Sequence, residues 1–354
     1  MSYLDINLEN IACNYNLLKE KVAPYALCAS VVKANAYGIG AKQAMKTLQK
    51  AGCKDFFVAG MDEALDLYKI SKDNLFMLHG IETYEEAELA YHHNIIPVLN
   101  DHHQIDVYND FGRKLNKKLP AILHFDTGMG RLGIDREDVQ KIINHDFINY
   151  QYIMSHLACA DEPQHPHNTQ QLQMLQKLQK FFPNSKVSFA NSSGIFLGKD
   201  YYFDMVRPGC ALYGINPTPG QPNQMKQVVT ANAKILQRRI LQKDQHVGYG
   251  STHIAKKGSK ILVAEYGYAD GYPRALSNLA KCYAHGYFLN IIGRISMDLM
   301  IINASDIPDQ IFHNIKHVEI FGNNIKIDDL AAQAKIITYE ILTGIGRRTL
   351  RNYL

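Results

Sequence analysis

Leu27-Cys28-Ala29-Ser30-Val31-Val32-Lys33-Ala34-Asn35-Ala36-Tyr37-Gly38-Ile39-Gly40 is a short apolar run that stops at a lysine and passes into a turn punctuated by glycine. A run of this length bounded by turn residues reads as a buried strand. Outward from it the same unit recurs through residues 27–215. Further apolar runs lie at 56–59, 75–78, 95–99, 121–125, 152–157, 187–190 and 204–206, which with 27–32 makes eight. Amphipathic stretches such as 62–69, 84–91 and 169–182 separate them, the last with Leu172, Leu175 and Leu178 at helical spacing. Eight strands alternating with helices predict a closed, parallel (β/α)8 barrel.

The pattern stops at Pro217-Thr218-Pro219-Gly220-Gln221-Pro222-Asn223, a connector rich in proline and glycine. A domain boundary belongs there. The sequence predicts a barrel domain over residues 1–223 and a mainly β domain over 224–354. The second is marked by apolar runs at 261–264, 288–292, 299–302 and 318–320, with 327–334 as its main helical candidate. At the start, Leu4, Ile6 and Leu8 alternate with Asp5 and Asn7, which predicts a half-buried strand over residues 1–9 that pairs with the second domain.

The 354 residues are 46% hydrophobic and 20% charged, ordinary globular usage that excludes disordered and low-complexity classes. Lys plus Arg exceed Asp plus Glu by 38 to 34, too small an excess to argue for nucleic acid. Cys13, Cys28, Cys53, Cys159, Cys210 and Cys282 form no C-x-x-C pair, so neither a zinc site nor a redox motif is signalled. The 15 histidines include adjacent pairs that point apart on a helix, and no metal is expected. The N-terminus lacks an apolar signal region and no run is long enough to span a bilayer, so no membrane and a cytoplasmic location are expected.

Lys33 sits where the first run meets its turn, which in a barrel is the mouth where catalytic groups collect. By itself a lysine there reads as solvated surface. The longer motif Val31-Val32-Lys33-Ala34-Asn35-Ala36-Tyr37-Gly38, however, resembles the pyridoxal-phosphate lysine motif of the alanine racemases. The resemblance runs along nearly the whole chain. Asp126-Thr127-Gly128-Met129-Gly130-Arg131 is similar to the loop after the family's fifth barrel strand, and Ser155-His156 to the segment with a histidine beside the cofactor ring. Asn191-Ser192 resembles its phosphate turn, and Val206-Arg207-Pro208-Gly209 its arginine segment. Gly248-Tyr249-Gly250 resembles the catalytic tyrosine loop, the segment from Gly267 to Arg274 a pocket segment, Met297-Asp298 a substrate-carboxylate segment, and Thr338-Tyr339 a phosphate and gate segment. Singly, these residues have ordinary readings, such as a turn arginine at 131, a core histidine at 156, a carboxylate partner at 207 and a helix cap at 191. Jointly and in order they identify the family.

The resemblance implies an enzyme that interconverts L- and D-alanine with pyridoxal 5'-phosphate, supplying D-alanine for peptidoglycan. Lys33 would carry the cofactor as a Schiff base and act on the D-enantiomer. Tyr249, with His156 as neighbour, would act on the L-enantiomer from the opposite face. Arg207 would face the pyridine nitrogen, and Arg131 the ring oxygen and the substrate carboxylate. Tyr37, Asn191, Ser192, Gly209, Cys210 and Tyr339 would hold the phosphate, and Met297, Asp298, Tyr268 and Tyr339 would bound the amino-acid substrate. The family assembles as a head-to-tail homodimer, with the tyrosine loop of one subunit completing the site of the other. A racemase of broader specificity, such as one for serine, and a fold-related pyridoxal-phosphate decarboxylase remain as alternatives. Ser296 and Cys210 depart mildly from the family pattern, and His124 departs more, standing where many members have a carbamylated lysine. Strand alternation places His124 and Asp126 together facing the barrel interior, and His124 is expected to be neutral or to share an anion with Arg131. His165 and His167 read as an exposed loop, and Arg347, Arg348 and Arg351 as a solvated basic tail.

Overall fold

Phe56, Phe57 and Val58 show how the apolar runs become strands. In Asp55–Val58, Phe57 points into the barrel and stacks on Phe76 with ring centroids 4.7 Å apart, while Phe56 and Val58 point outward to the helix layer. A strand covered on both faces needs apolar residues at successive positions, and burying each phenylalanine contributes about 1.5–3 kcal/mol. The interior residues lie in register around the barrel, with Val31 opposite Phe57, Phe57 opposite Phe76 and Phe76 opposite Ile96.

The computed structural model describes residues 1–143 and 145–354. The first strand is interrupted into Leu27–Cys28 and Ser30–Val31. Its first half pairs with Met205–Val206 and its second with Asp55–Val58, which closes the barrel. The remaining strands, Asn74–Met77, Ile95–Leu99, Leu119–His124, Ile148–Met154 and Lys186–Ser188, follow in sequence order and are all parallel. The fold is a (β/α)8 barrel followed by a mainly β part. Among the described residues no helix is long and apolar enough to cross a membrane.

The β part is built on Val229–Ile240, a strand of 12 residues. It pairs antiparallel with Tyr3–Ile6, His317–Phe321 and Lys260–Glu265. Tyr3–Ile6 also pairs in parallel with Leu350–Tyr353, so both chain ends lie in this sheet. The strand predicted over residues 1–9 ends at Ile6. The Asn7 side chain accepts the Asn10 N–H at 2.8 Å and caps a helix, Leu8–Val22, whose Ile11, Tyr15, Leu18 and Val22 are buried. Asn7 is thus a cap rather than a solvent-facing strand position, and Leu8 belongs to the helix.

Candidate active site

The turn after the first strand is unusual in its backbone. Ala34, Asn35, Ala36 and Tyr37 all have φ between +53° and +55°, a left-handed turn built without glycine. Each such residue costs about 1–2 kcal/mol, so the surroundings must impose it. Glu63 does much of this, its Oε1 accepting the Ala34 N–H at 2.7 Å and its Oε2 the Ala59 N–H at 2.8 Å. Asn35 Oδ1 takes the Ala41 N–H at 2.9 Å, and the Gly38 N–H returns to the Ala34 carbonyl at 2.8 Å. The result places Lys33 at the C-terminal end of the barrel, where it and Tyr37 line one cavity of about 330 Å³.

The other barrel candidates follow strand ends in the same way. His156 lies two residues past Ile148–Met154, Asn191 and Ser192 just past Lys186–Ser188, and Arg207 immediately after Met205–Val206. All four line the cavity, as do Arg131, Gly209 and Cys210. Tyr339 enters it from the helix Thr338–Thr343 of the β part.

Arg207 is held on three sides. Its Nη1 donates to Ser188 Oγ at 2.6 Å, and its Nη2 to the Ser155 carbonyl at 2.7 Å and, more weakly, to the Phe189 carbonyl at 3.3 Å. Asp204, the acidic residue three positions before it, is not its partner and instead accepts the Val187 N–H. Burial pulls Arg207 down to about 9, and these acceptors keep the guanidinium charged at neutral pH. Nη2 also lies 3.4 Å from His156 Nδ1, which must accept, so the His156 proton sits on Nε2. Burial first, then the positive charges of Arg207 and Arg131, hold His156 well below the ordinary histidine range. It is a neutral hydrogen-bonding group here, not a cation. Burial and Arg131 likewise lower the Lys33 ammonium, while Glu63 opposes the shift. An amine so placed loses its proton more readily than a surface lysine.

His124 lines the same cavity and is 7% exposed. Its Nδ1 is 2.8 Å from Asn100 Oδ1, and the Asn100 amide nitrogen donates to the Leu78 and Val98 carbonyls, which fixes Oδ1 as the acceptor and His124 Nδ1 as the donor. Burial, Arg207 and Arg131 push His124 down to about 4. Asp126, close enough to oppose that shift, does not itself line the cavity. Its carboxylate instead accepts the N–H groups of Gly128, Met129 and Gly130, folding the loop that carries Arg131. Arg131 is exposed and makes no ion pair among the described residues. His165 and His167 also have structural work. His165 caps the helix Pro166–Gln179, and His167 Nε2 donates to the Gly128 carbonyl at 2.7 Å, bracing the same loop.

The neutral His124 gives a pH prediction. Its folded value lies below the unfolded value of about 6.5, so its contribution is present above pH 6.5 and is lost as pH falls toward about 4. Between about pH 7.5 and pH 5 the loss amounts to about 2 kcal/mol. Denaturant unfolding of the wild type should show it, and His124→Gln should flatten the curve by that amount. Equal pH slopes in both proteins would contradict the assignment.

Tyr249, Tyr268, Met297 and Asp298 do not join this cavity within one chain. Tyr249 is 71% exposed on its turn, and Tyr268 and Met297 are also exposed. Their loops touch each other, with the Tyr268 N–H donating to the Ser296 carbonyl at 3.1 Å and the Ala269 N–H to the Met297 carbonyl at 3.0 Å. Asp298 is paired with Arg348 at 2.7 Å. Glu63, Asn100, Ser155 and Ser188, which hold the site residues, were not foreseen from sequence. Glu63, Asn100 and Ser188 lie in no motif, Ser155 is only the neighbour of a motif histidine, and the holding role of all four is read only once the strands are neighbours.

Residues 6–217 match the family model for the alanine racemase N-terminal domain and residues 228–353 that for its C-terminal domain. An alanine racemase of Rhodospirillum rubrum is 41% identical over 99% of this chain and 95% of its own, and one of Rickettsia canadensis 41% over 99% and 98%. Among solved structures, alanine racemase from Bartonella henselae with covalently bound pyridoxal phosphate is 39% identical, with a TM-score of 0.92 over 100% of this chain and 99% of that one. The biosynthetic alanine racemase of Pseudomonas aeruginosa gives 29% identity and a TM-score of 0.91, over 100% and 99%.

Proposed function

Since the chain belongs to the alanine racemase family, we propose that it interconverts L- and D-alanine using Lys33 of one subunit and Tyr249 of the partner subunit as opposed bases on pyridoxal phosphate. The observation that carries this reading is the single cavity in which Lys33, His156 and Arg207 converge at the barrel mouth. The residues present fit the cofactor. Gly209 is a place where a side chain cannot stand, since a Cβ would lie 2.4 Å from the Tyr37 hydroxyl. Beside it, Ser192 Oγ accepts the Gly209 and Ala211 N–H groups at 2.9 and 3.3 Å, which leaves its own proton to donate into the cavity. Burial raises the Tyr37 and Tyr339 phenols, keeping both as donors. Such a donor set suits a phosphate dianion. Asn191 Oδ1 accepts the Gly194 N–H at 2.8 Å and shapes the turn that presents Ser192, with Cys210 packed alongside.

When bound, pyridoxal phosphate supplies an electron sink for the pair left when the α-carbon loses its proton. Lys33, its basicity lowered by burial and by Arg131, holds the cofactor and moves the α-proton on one face. Arg207 keeps its own proton and so would offer none to a pyridine nitrogen placed against it, which would disfavour transamination. Arg131, unpaired within the described residues, is available to the ring oxygen and the substrate carboxylate, with the N–H of Met297 of the partner subunit assisting there. His156 Nε2–H is the donor available to the Tyr249 phenol oxygen.

Because Tyr249, Tyr268 and Met297 are exposed and outside the chain's own cavity, the reading requires a second subunit. A symmetric head-to-tail homodimer supplies it. We further propose a domain boundary between residues 223 and 224, a cytoplasmic location and a role in supplying D-alanine for peptidoglycan. The test is incubation of the purified protein with L-alanine and cofactor, following chirality and carbon dioxide separately. D-alanine should form to an equal mixture without carbon dioxide, and L-serine should turn over more slowly. Carbon dioxide release without racemisation would reject the reading.

A further inference from the structure

Arg348 lies in a tail whose arginines read, in sequence, as solvated. The structure instead gives it a two-ended role. One edge of its guanidinium meets the Asp270 carboxylate twice, Nε to Oδ1 at 2.7 Å and Nη2 to Oδ2 at 2.9 Å, while Nη1 reaches Asp298 Oδ1 at 2.7 Å. Exposed ion pairs usually contribute little, but Asp270 is 6% exposed, and a carboxylate so buried needs its partners. It also accepts the Gly267 N–H at 2.9 Å, which fixes the turn that presents Tyr268. Asp298 directly follows Met297. The guanidinium therefore spans the two loops that carry Tyr268 and Met297.

The surrounding backbone leaves these loops little room to be held in another way. A Cβ at Gly267 would lie 2.3 Å from the Met297 carbonyl oxygen, and one at Gly271 would lie 2.4 Å from the Gly344 carbonyl oxygen. The Gly346 N–H donates to the Asp270 carbonyl at 3.3 Å. Three residues beyond Arg348, Arg351 Nε donates to the Gly38 carbonyl at 2.9 Å, at the exit of the Lys33 turn. The tail is thus packed against both loops and anchored on the barrel.

We propose that Arg348 is a positioning residue for the substrate-carboxylate end of the active site, its fork between Asp270 and Asp298 setting the placement of Tyr268 and of the Met297 backbone N–H. The inference rests on the reading that these two groups bound the substrate in the partner subunit's site. Lysine keeps the charge but cannot form the bidentate edge and the third bond together.

The experiment uses the holoenzyme with Arg348→Lys and Arg348→Gln. The expected result is a rise in KM for alanine of about ten-fold in both directions, with kcat within about three-fold and the bound-cofactor absorbance unchanged. The affinity for acetate, a carboxylate without an amine, read from that absorbance, should fall in parallel. An unchanged KM overturns the inference, as does a fall in kcat and thermal midpoint without a change in KM, which marks a purely structural role. Subunit exchange between Arg348→Lys and Lys33→Ala tests the shared-site reading separately. Mixed dimers pair the intact Lys33 with loops held by an intact Arg348, so a component with wild-type KM should appear. If the raised KM persists at every active site, the shared site fails while the role of Arg348 stands.

Discussion

Replacing Lys33 with alanine is expected to abolish racemisation in both directions, by at least about four orders of magnitude, and to leave a protein without the yellow colour of a covalently held cofactor. Both effects follow from one atom. Among the described residues the Lys33 amine is the only lysine nitrogen lining the cavity, and it is assigned both the covalent hold and the proton on one face. Its neighbours make it suited to this, since burial and Arg131 disfavour its charged form. Borohydride treatment of the wild type followed by peptide mapping should place the reduced cofactor on Lys33. Label on another lysine, or near-normal activity of Lys33→Ala, would remove the assignment.

Tyr249→Phe should be almost as damaging but in a directional way. It removes one hydroxyl from a side chain that is 71% exposed in its own chain and whose hydroxyl makes no hydrogen bond among the described residues. Racemisation should fall by about 10²–10⁴-fold, the usual contribution of a positioned acid or base. Lys33 should still exchange the α-proton of D-alanine for solvent deuterium without inverting it, whereas exchange into L-alanine should nearly cease. NMR of each enantiomer in deuterium oxide measures this. Equal loss of exchange from both enantiomers would contradict a division of labour between two bases.

What could be read from sequence and what could not divide along physical lines. The eight barrel strands were legible because a strand buried on both faces must be apolar throughout, and Phe56, Phe57 and Val58 meet that demand regardless of partners. The helix Leu8–Val22 was hidden because Leu4, Ile6 and Leu8 continue an alternation across the cap at Asn7, and only the hydrogen bond to Asn10 reveals the break. Val229–Ile240 was missed because its buried positions include Ala231 and Ala233, small residues that make a faint hydrophobic signal. At the site, the resemblance named groups that would touch cofactor or substrate but not those that hold them. Glu63 is 30 residues from Lys33 and in no motif, and its role exists only once the Lys33 turn is left-handed. Arg348 looked like a solvated tail because its acceptors, Asp270 and Asp298, lie far away in sequence. The same distance in sequence hides Asn100, which decides the tautomer of His124.

The central claim is that each active site joins Lys33 from one chain with Tyr249 from another, and the most direct test is complementation between two inactive proteins. Lys33→Ala and Tyr249→Phe are purified separately, mixed in equal amounts and allowed to exchange subunits, with exchange followed by differential tags. Each mixed dimer would hold one site with both changes and one with neither, so activity should return to roughly a quarter of the wild-type value. Complete exchange with no recovery of activity would show instead that both groups act within one chain.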